Sequence, residues 1–209
     1  MLLSRDVYNR ILEQLLAGEL LPGQIINRRQ IASEFAVSVA PVLEAMLLLE
    51  HEGLLETIPR KGTQVRLVRP EDVLGQFMIR DALESKAARL YWNKGLKDNS
   101  EDLLDFAEQV DGATQDLLDD WRQEILFHKE LVSLAGIPSL TAAFDKTMKL
   151  NLFFTMTRTV PEDKKARRDN HVVLIQNLLS AKCADEAENL MRTHVWFGKE
   201  YLLEGFSQI

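Results

Sequence analysis

Apolar residues recur every three to four positions through the first 50 or so residues and again from about residue 71 onward, and one short interval between them alternates with period two. Val7, Ile11, Leu15 and Leu16 share a face of a first helix that Ser4 caps, that runs to about Ala17 and that Gly18 ends. Leu21-Pro22-Gly23 reads as a turn. Two further helices are predicted, Arg28 to Phe35 and Val39 to Glu52, joined by Ala36-Val37-Ser38 and closed by Gly53. Leu54 to Ile58 and Thr63 to Leu67 read as two strands around the tip Pro59-Arg60-Lys61-Gly62. Helix, tight turn, helix and hairpin in that order make a winged helix-turn-helix, a unit that lays its second helix in the major groove of DNA.

Arg69-Pro70-Glu71-Asp72 marks a boundary, because proline suits a helix start and acids suit the first turn. Beyond it no strand-like alternation occurs, and the breakers Asn93-Lys94-Gly95, Gly112, Gly136-Ile137-Pro138 and Pro161 divide the remainder. The predicted helices run over about 71–93, 99–112, 114–135, 138–157, 162–181 and 183–205. The expected fold is therefore mainly α, with a winged helix-turn-helix domain over 1–68 and an all-α bundle of about six helices over 69–209.

Composition narrows the function classes. The chain has 209 residues and a net charge of -7, which argues against a nonspecific coat on nucleic acid. A single cysteine, Cys183, excludes an internal disulfide framework and fits a reducing cytoplasm. The N-terminus shows no charged-then-apolar leader, and the run Leu47-Leu48-Leu49 is far too short to span a bilayer. A cytoplasmic protein without membrane partners is expected.

The order Gly18-Glu19-Leu20-Leu21-Pro22-Gly23, Ile31-Ala32, Val37-Ser38, Pro41-Val42, Glu44-Ala45, Leu49-Glu50, Glu52-Gly53-Leu54, then Gly62 and Val65, resembles the DNA-binding domain of GntR-type bacterial transcription regulators. From Arg69 onward the chain resembles the all-helical effector domain of the FadR branch (the FCD type), and six helices would point to its VanR-like subgroup. The resemblance implies a homodimeric, ligand-responsive regulator, most simply a repressor, whose partners are a double-stranded DNA operator and a small-molecule effector.

The DNA-reading face departs from that family. Its members carry arginine directly after the serine of the turn and again between the valine and glutamate of the following helix, whereas this chain has Val39 and Leu43. With Leu47 these form an i, i+4, i+8 stripe, and Met46 and Leu48 leave the middle of the helix apolar nearly all round. Arg29 and Ser38 keep family positions that touch DNA, and Arg60, Lys61 and Gly62 form a wing tip able to reach phosphate or minor groove. Residues 1–68 hold seven basic and eight acidic side chains, so the domain lacks the usual positive charge of a DNA-binding unit. Three readings stand open: contacts to thymine methyls, a stripe covered by another part of the dimer, or lost DNA binding.

In the second domain Glu124 and His128 lie i, i+4 on one helix, His171 early in the fifth and His194 in the sixth. One carboxylate and three imidazoles from three helices suit a divalent ion such as Zn²⁺, Ni²⁺ or Mn²⁺. The resemblance implies the same set, through the family's Asp-x-x-x-His and two later histidines, with two departures. Glu124 is one methylene longer than aspartate, and the His171–His194 interval is about one residue longer than the pattern. Arg80, in Arg80-Asp81-Ala82-Leu83-Glu84, matches the family's R-x-x-L-E and could bind the carboxylate of an organic acid; equally it could form a surface pair with Glu84. Trp92, Trp121 and Trp196 read as core residues. An enzyme is not expected: the set offers one carboxylate, no activated nucleophile and no phosphate loop. A sensor acting through protein partners is the alternative.

Overall fold

The computed structural model describes residues 2–112, 116–157 and 170–204. Two compact units emerge, Met1–Arg69 with Leu152–Arg158, and Pro70–Asn151 with Thr159–Ile209.

The first unit contains α1 (Leu2–Leu16), α2 (Arg28–Glu34), α3 (Val39–His51), β1 (Leu55–Ile58) and β2 (Gly62–Val65). The side chains of Val7, Ile11 and Leu15 on α1 and of Val42, Ala45 and Leu49 on α3 are fully buried, as the helical spacing predicts. Ser4 does not cap α1. The helix already begins at Leu2, and the Ser4 hydroxyl instead donates to the Glu44 carboxylate on α3. One turn later Tyr8 donates to Glu52, 2.5 Å away. Asn27 caps α2 by accepting from the Arg29 and Gln30 amides.

Gly53, at φ 83°, ends α3, with Gly53 N bonded to Glu50 O and Leu54 N to Leu49 O. That paired closure needs a left-handed residue, which glycine adopts without strain, and it turns the chain directly into β1. β1 and β2 pair antiparallel from Leu55↔Val65 to Ile58↔Gly62. A strand partner not foreseen from the sequence is the segment 23–26. Gly23 N and Ile26 N donate to Val65 O and Thr63 O, and Ile25 bridges Gln64.

The second unit contains α4 (Pro70–Tyr91), α5 (Lys94–Asp98), α6 (Ser100–Asp111), α7 (Leu117–Ser133), α8 (Pro138–Met156, of which the part from Leu152 groups with the first unit), α9 (His171–Ser180) and α10 (Ala184–Glu204). Its described residues thus hold seven helices where six were expected, which removes the helix-count argument for the VanR-like subgroup. The extra one is α5, at the site read as the breaker Asn93-Lys94-Gly95. Gly95 serves close approach there: a Cβ on it would lie 3.2 Å from both Leu134 O and Tyr91 Cβ. The expected helix starts at 114 and 162, the break at Pro161 and the end at 205 lie outside the described residues.

α4 and α10 run antiparallel, as their contacts show in sequence order. Arg89 pairs with Asp185 and Glu188; Asp81 accepts from Arg192 and from the Trp196 indole, and Trp196 stacks on Phe77. Ala87 and Ala88 on α4 and Ala187 on α10 are fully buried. No single helix among the described residues is long and apolar enough to cross a membrane.

Gly95→Ala is expected to lower the melting temperature by about 2–4 °C, the equivalent of about 1 kcal/mol in a chain of this size. Gly75→Ala, inside α4 with nothing within 4 Å of the added methyl, is expected to raise it by a similar amount. Thermal unfolding of both variants checks the pair; an unchanged Gly95→Ala would remove the close-approach argument.

Candidate functional site

Three histidines meet inside the second unit. His128 on α7, His171 at the first position of α9 and His194 on α10 each offer a ring nitrogen, and these atoms all lie within 4.8 Å of one another. His128 Nε2 is 3.3 Å from His194 Nε2 and 3.3 Å from Glu124 Oε1, while His171 Nε2 is 3.1 Å from Glu124 Oε2. The longer interval between His171 and His194 therefore still brings both rings to one place.

Two carboxylates decide which nitrogens face inward. Glu84 Oε2 lies 2.5 Å from His128 Nδ1. Asp111 Oδ1 lies 2.8 Å from His171 Nδ1, and the same carboxylate accepts from the His171 and Val172 amides at 3.0 Å each. Asp111 thus holds the start of α9 and the ring beside it, alongside the Asn170 cap, which accepts from Val173 N. Each ring nitrogen turned outward is engaged with an acid, so each Nε2 points toward Glu124. Sequence reading missed both acids. Glu84 was visible only as the last residue of Arg80-x-x-Leu83-Glu84, and Asp111 carried no signal beyond its place before Gly112.

Arg80 does not form the surface pair considered above. It is 5% exposed, and its Nε donates to Glu84 Oε1 at 2.7 Å inside the unit. A buried chain Arg80–Glu84–His128 results. Burial opposes the charge on Glu84, but the Arg80 guanidinium and His128 outweigh it and hold the carboxyl down at about 2. Burial likewise favours neutral His128, yet the Glu84 charge and the bond to Glu124 lift it to about 9. Burial would raise Glu124, and its contacts with His128 and His171 instead hold it well below the usual carboxylate range. His194 is pushed well below the ordinary histidine value by burial and by the neighbouring His128 and His171, which leaves its ring neutral with a lone pair to offer.

The donor set fits a divalent ion. Ligands about 2.1 Å from a shared ion sit roughly 3–4 Å apart, and the three closest separations above fall in that range. His171 Nε2 is buried without a hydrogen-bond partner, despite its nearness to Glu124. A buried ring nitrogen aimed at a carboxylate and two more imidazoles suits a site that would hold a divalent ion. Glu124, His128, His171 and His194 would hold the ion. A proton on His128 and a cation would compete for one lone pair.

The first unit carries a different surface. Ser38 stands at the N-cap of α3, but its hydroxyl makes no capping bond. Ala36, at φ 55°, forms the left-handed corner of the turn before it. Val39, Leu43, Leu47 and Leu48 are all exposed, while Val42, Ala45, Met46 and Leu49 are buried, so the apolar stripe is a surface feature of this unit and Met46 belongs to the core. Arg29, Arg60, Lys61 and Gly62 are exposed, with Arg60 at φ 68° on the hairpin tip. Arg10 and Arg28 are engaged within the unit: the first, though exposed, lies over the Phe35 ring, 3.7 Å from its centroid, and the second donates to Thr63.

The comparisons with known proteins agree with both units. Residues 3–65 match the model of the bacterial regulatory proteins of the gntR family, and residues 76–196 match that of the FCD domain. The HTH-type transcriptional repressor GlaR of Escherichia coli is 25% identical over 92% of each chain. An uncharacterized HTH-type regulator of Bacillus subtilis, YdhC, is 39% identical over 40% of this chain, a stretch that spans only 37% of that relative's length. The GntR chain of Rhodococcus sp. RHA1 shares the fold, with a TM-score of 0.74 at 18% identity over 96% of this chain and 97% of that one. Regulators of this family bind DNA operators, and their FCD domains take small-molecule effectors. The chain belongs to the GntR family of bacterial transcription regulators, with an FCD domain following its winged helix in sequence.

Proposed function

We propose that this chain is a cytoplasmic, homodimeric repressor released from or fixed on its operator by a small organic acid sensed at a metal-containing site. The observation that carries the reading is the convergence of His128, His171, His194 and Glu124, backed by Glu84 and Asp111. A divalent ion held there supplies a Lewis-acidic centre for a carboxylate. Arg80 adds positive charge beside it while its Nε holds Glu84. Relatives described as repressors, GlaR among them, favour repression over activation.

Arg29, Ser38, Val39, Leu43 and the wing residues Arg60, Lys61 and Gly62 form the DNA-facing set. Two copies are needed to read two half-sites, and a change in the bundle alters the spacing of the reading heads. A sensor acting through protein partners is the second reading, favoured by the exposed apolar stripe of Val39, Leu43 and Leu47 on α3.

Purified protein mixed with genomic fragments is expected to enrich a short inverted repeat, and a subset of small organic acids is expected to shift its affinity. No enrichment by folded, metal-loaded protein would turn the reading toward the sensor. His171→Ala should lose the bound divalent ion and melt at lower temperature, as elemental analysis and calorimetry would show; full occupancy in that variant would refute the site. Glu84→Gln keeps every proposed ligand and should weaken metal affinity by about 10–100-fold. Val39→Arg and Leu43→Arg should raise affinity for DNA and steepen its salt dependence by up to about one phosphate contact per arginine. Unchanged slopes in both would show that the stripe does not limit binding.

A further inference from the structure

We infer that α3 reads its operator through thymine methyl groups, which makes this regulator specific for A·T-rich half-sites. The inference rests on the DNA-facing role proposed above and adds the chemistry of the sequence read.

A recognition helix meets base edges with its N-terminal residues. On α3 the exposed residues there are Val39, Ala40 and Leu43, with Ser38 before them and Glu44 after. None of the first three has a donor or acceptor in its side chain. The one charged group, Glu44, accepts the Ser4 hydroxyl from α1, so its carboxylate is tied back toward the neighbouring helix.

The major-groove edges of guanine, cytosine and adenine present donors and acceptors, and thymine adds a C5 methyl. Alkyl side chains pressed on a polar edge would strip its water and return no bond, a loss on every pair that G·C pairs, having no methyl, leave without an offset. Against the thymine methyl the same side chains bury apolar surface on both partners. The selection is therefore partly by exclusion and partly by contact.

Charge complementarity supports DNA as the occupant of this face rather than a second apolar protein surface. Of the exposed cations of this unit, Arg29, Arg60 and Lys61 stand on α2 and the hairpin tip and Arg5 and Arg10 on α1, while the exposed part of α3 itself carries none before His51. Cations outside and alkyl groups on the helix match phosphate walls and a methyl-lined floor. An exposed arginine on the wing tip agrees in direction, since narrow A·T minor grooves attract arginine.

The test begins with duplexes selected by the full-length protein from random DNA. At the positions facing α3, thymine is then replaced by uracil, which removes the methyl and leaves base pairing intact. Each contacted methyl is expected to be worth about fourfold in affinity, with no change in the salt slope. In Leu43→Ala the uracil penalty at its position should shrink to within about twofold; the residue is exposed, so the fold should tolerate the change. G·C pairs at those positions, or indifference to uracil in the unaltered protein, would overturn the inference and leave the DNA-binding regulator standing. Failure to select any duplex would instead overturn the DNA-facing role itself. Self-association abolished by Leu43→Arg would assign the face to a second copy and likewise overturn the inference.

Discussion

Everything proposed for the second unit depends on carboxylates that orient imidazoles. A histidine ring with both nitrogens unconstrained can rotate and change tautomer, and three such rings would not define a cation site. Glu84 behind His128 and Asp111 behind His171 remove that freedom. The acids in turn are fixed, Glu84 by Arg80 and Asp111 by two backbone amides at the start of α9. The histidine cluster is thus the visible end of a network that begins on α4 and α6.

That network also explains how a buried Arg80 and Glu84 are tolerated. Each ion would be costly inside the unit alone. Together with His128 they form a chain in which opposite charges alternate, and burial is offset at each step. Arg80 is therefore tied to the histidine site through Glu84, whatever further contact it makes with an effector.

Much of this was legible in the sequence. The bounds of α2 and α3, the turn between them and the hairpin tip follow from spacing, Gly53 and the Pro59–Gly62 cluster. The four residues that converge on the candidate cation site were named from residue type and helical position, although the His171–His194 interval looked wrong. What stayed hidden has physical reasons. Asp111 works through tertiary contact and leaves no periodic mark. Segment 23–26 is too short for alternation to show. Ser4 looked like a cap because serine caps so many helices, yet its hydroxyl reaches a residue forty positions away. Gly95 looked like a breaker because a close backbone approach cannot be seen without its partner, Leu134.

The Ser4–Glu44 contact has a consequence for how specificity could drift. The position of the Glu44 carboxylate on the exposed face of α3 is held by a residue on α1, outside the helix-turn-helix. Replacing Ser4 by alanine would leave the reading helix unaltered letter for letter, yet return a freely moving carboxylate to its surface. Relatives with identical α3 sequences but different residues at position 4 would then differ in how strongly phosphates repel them, and an operator preference compared on the recognition helix alone would miss the difference.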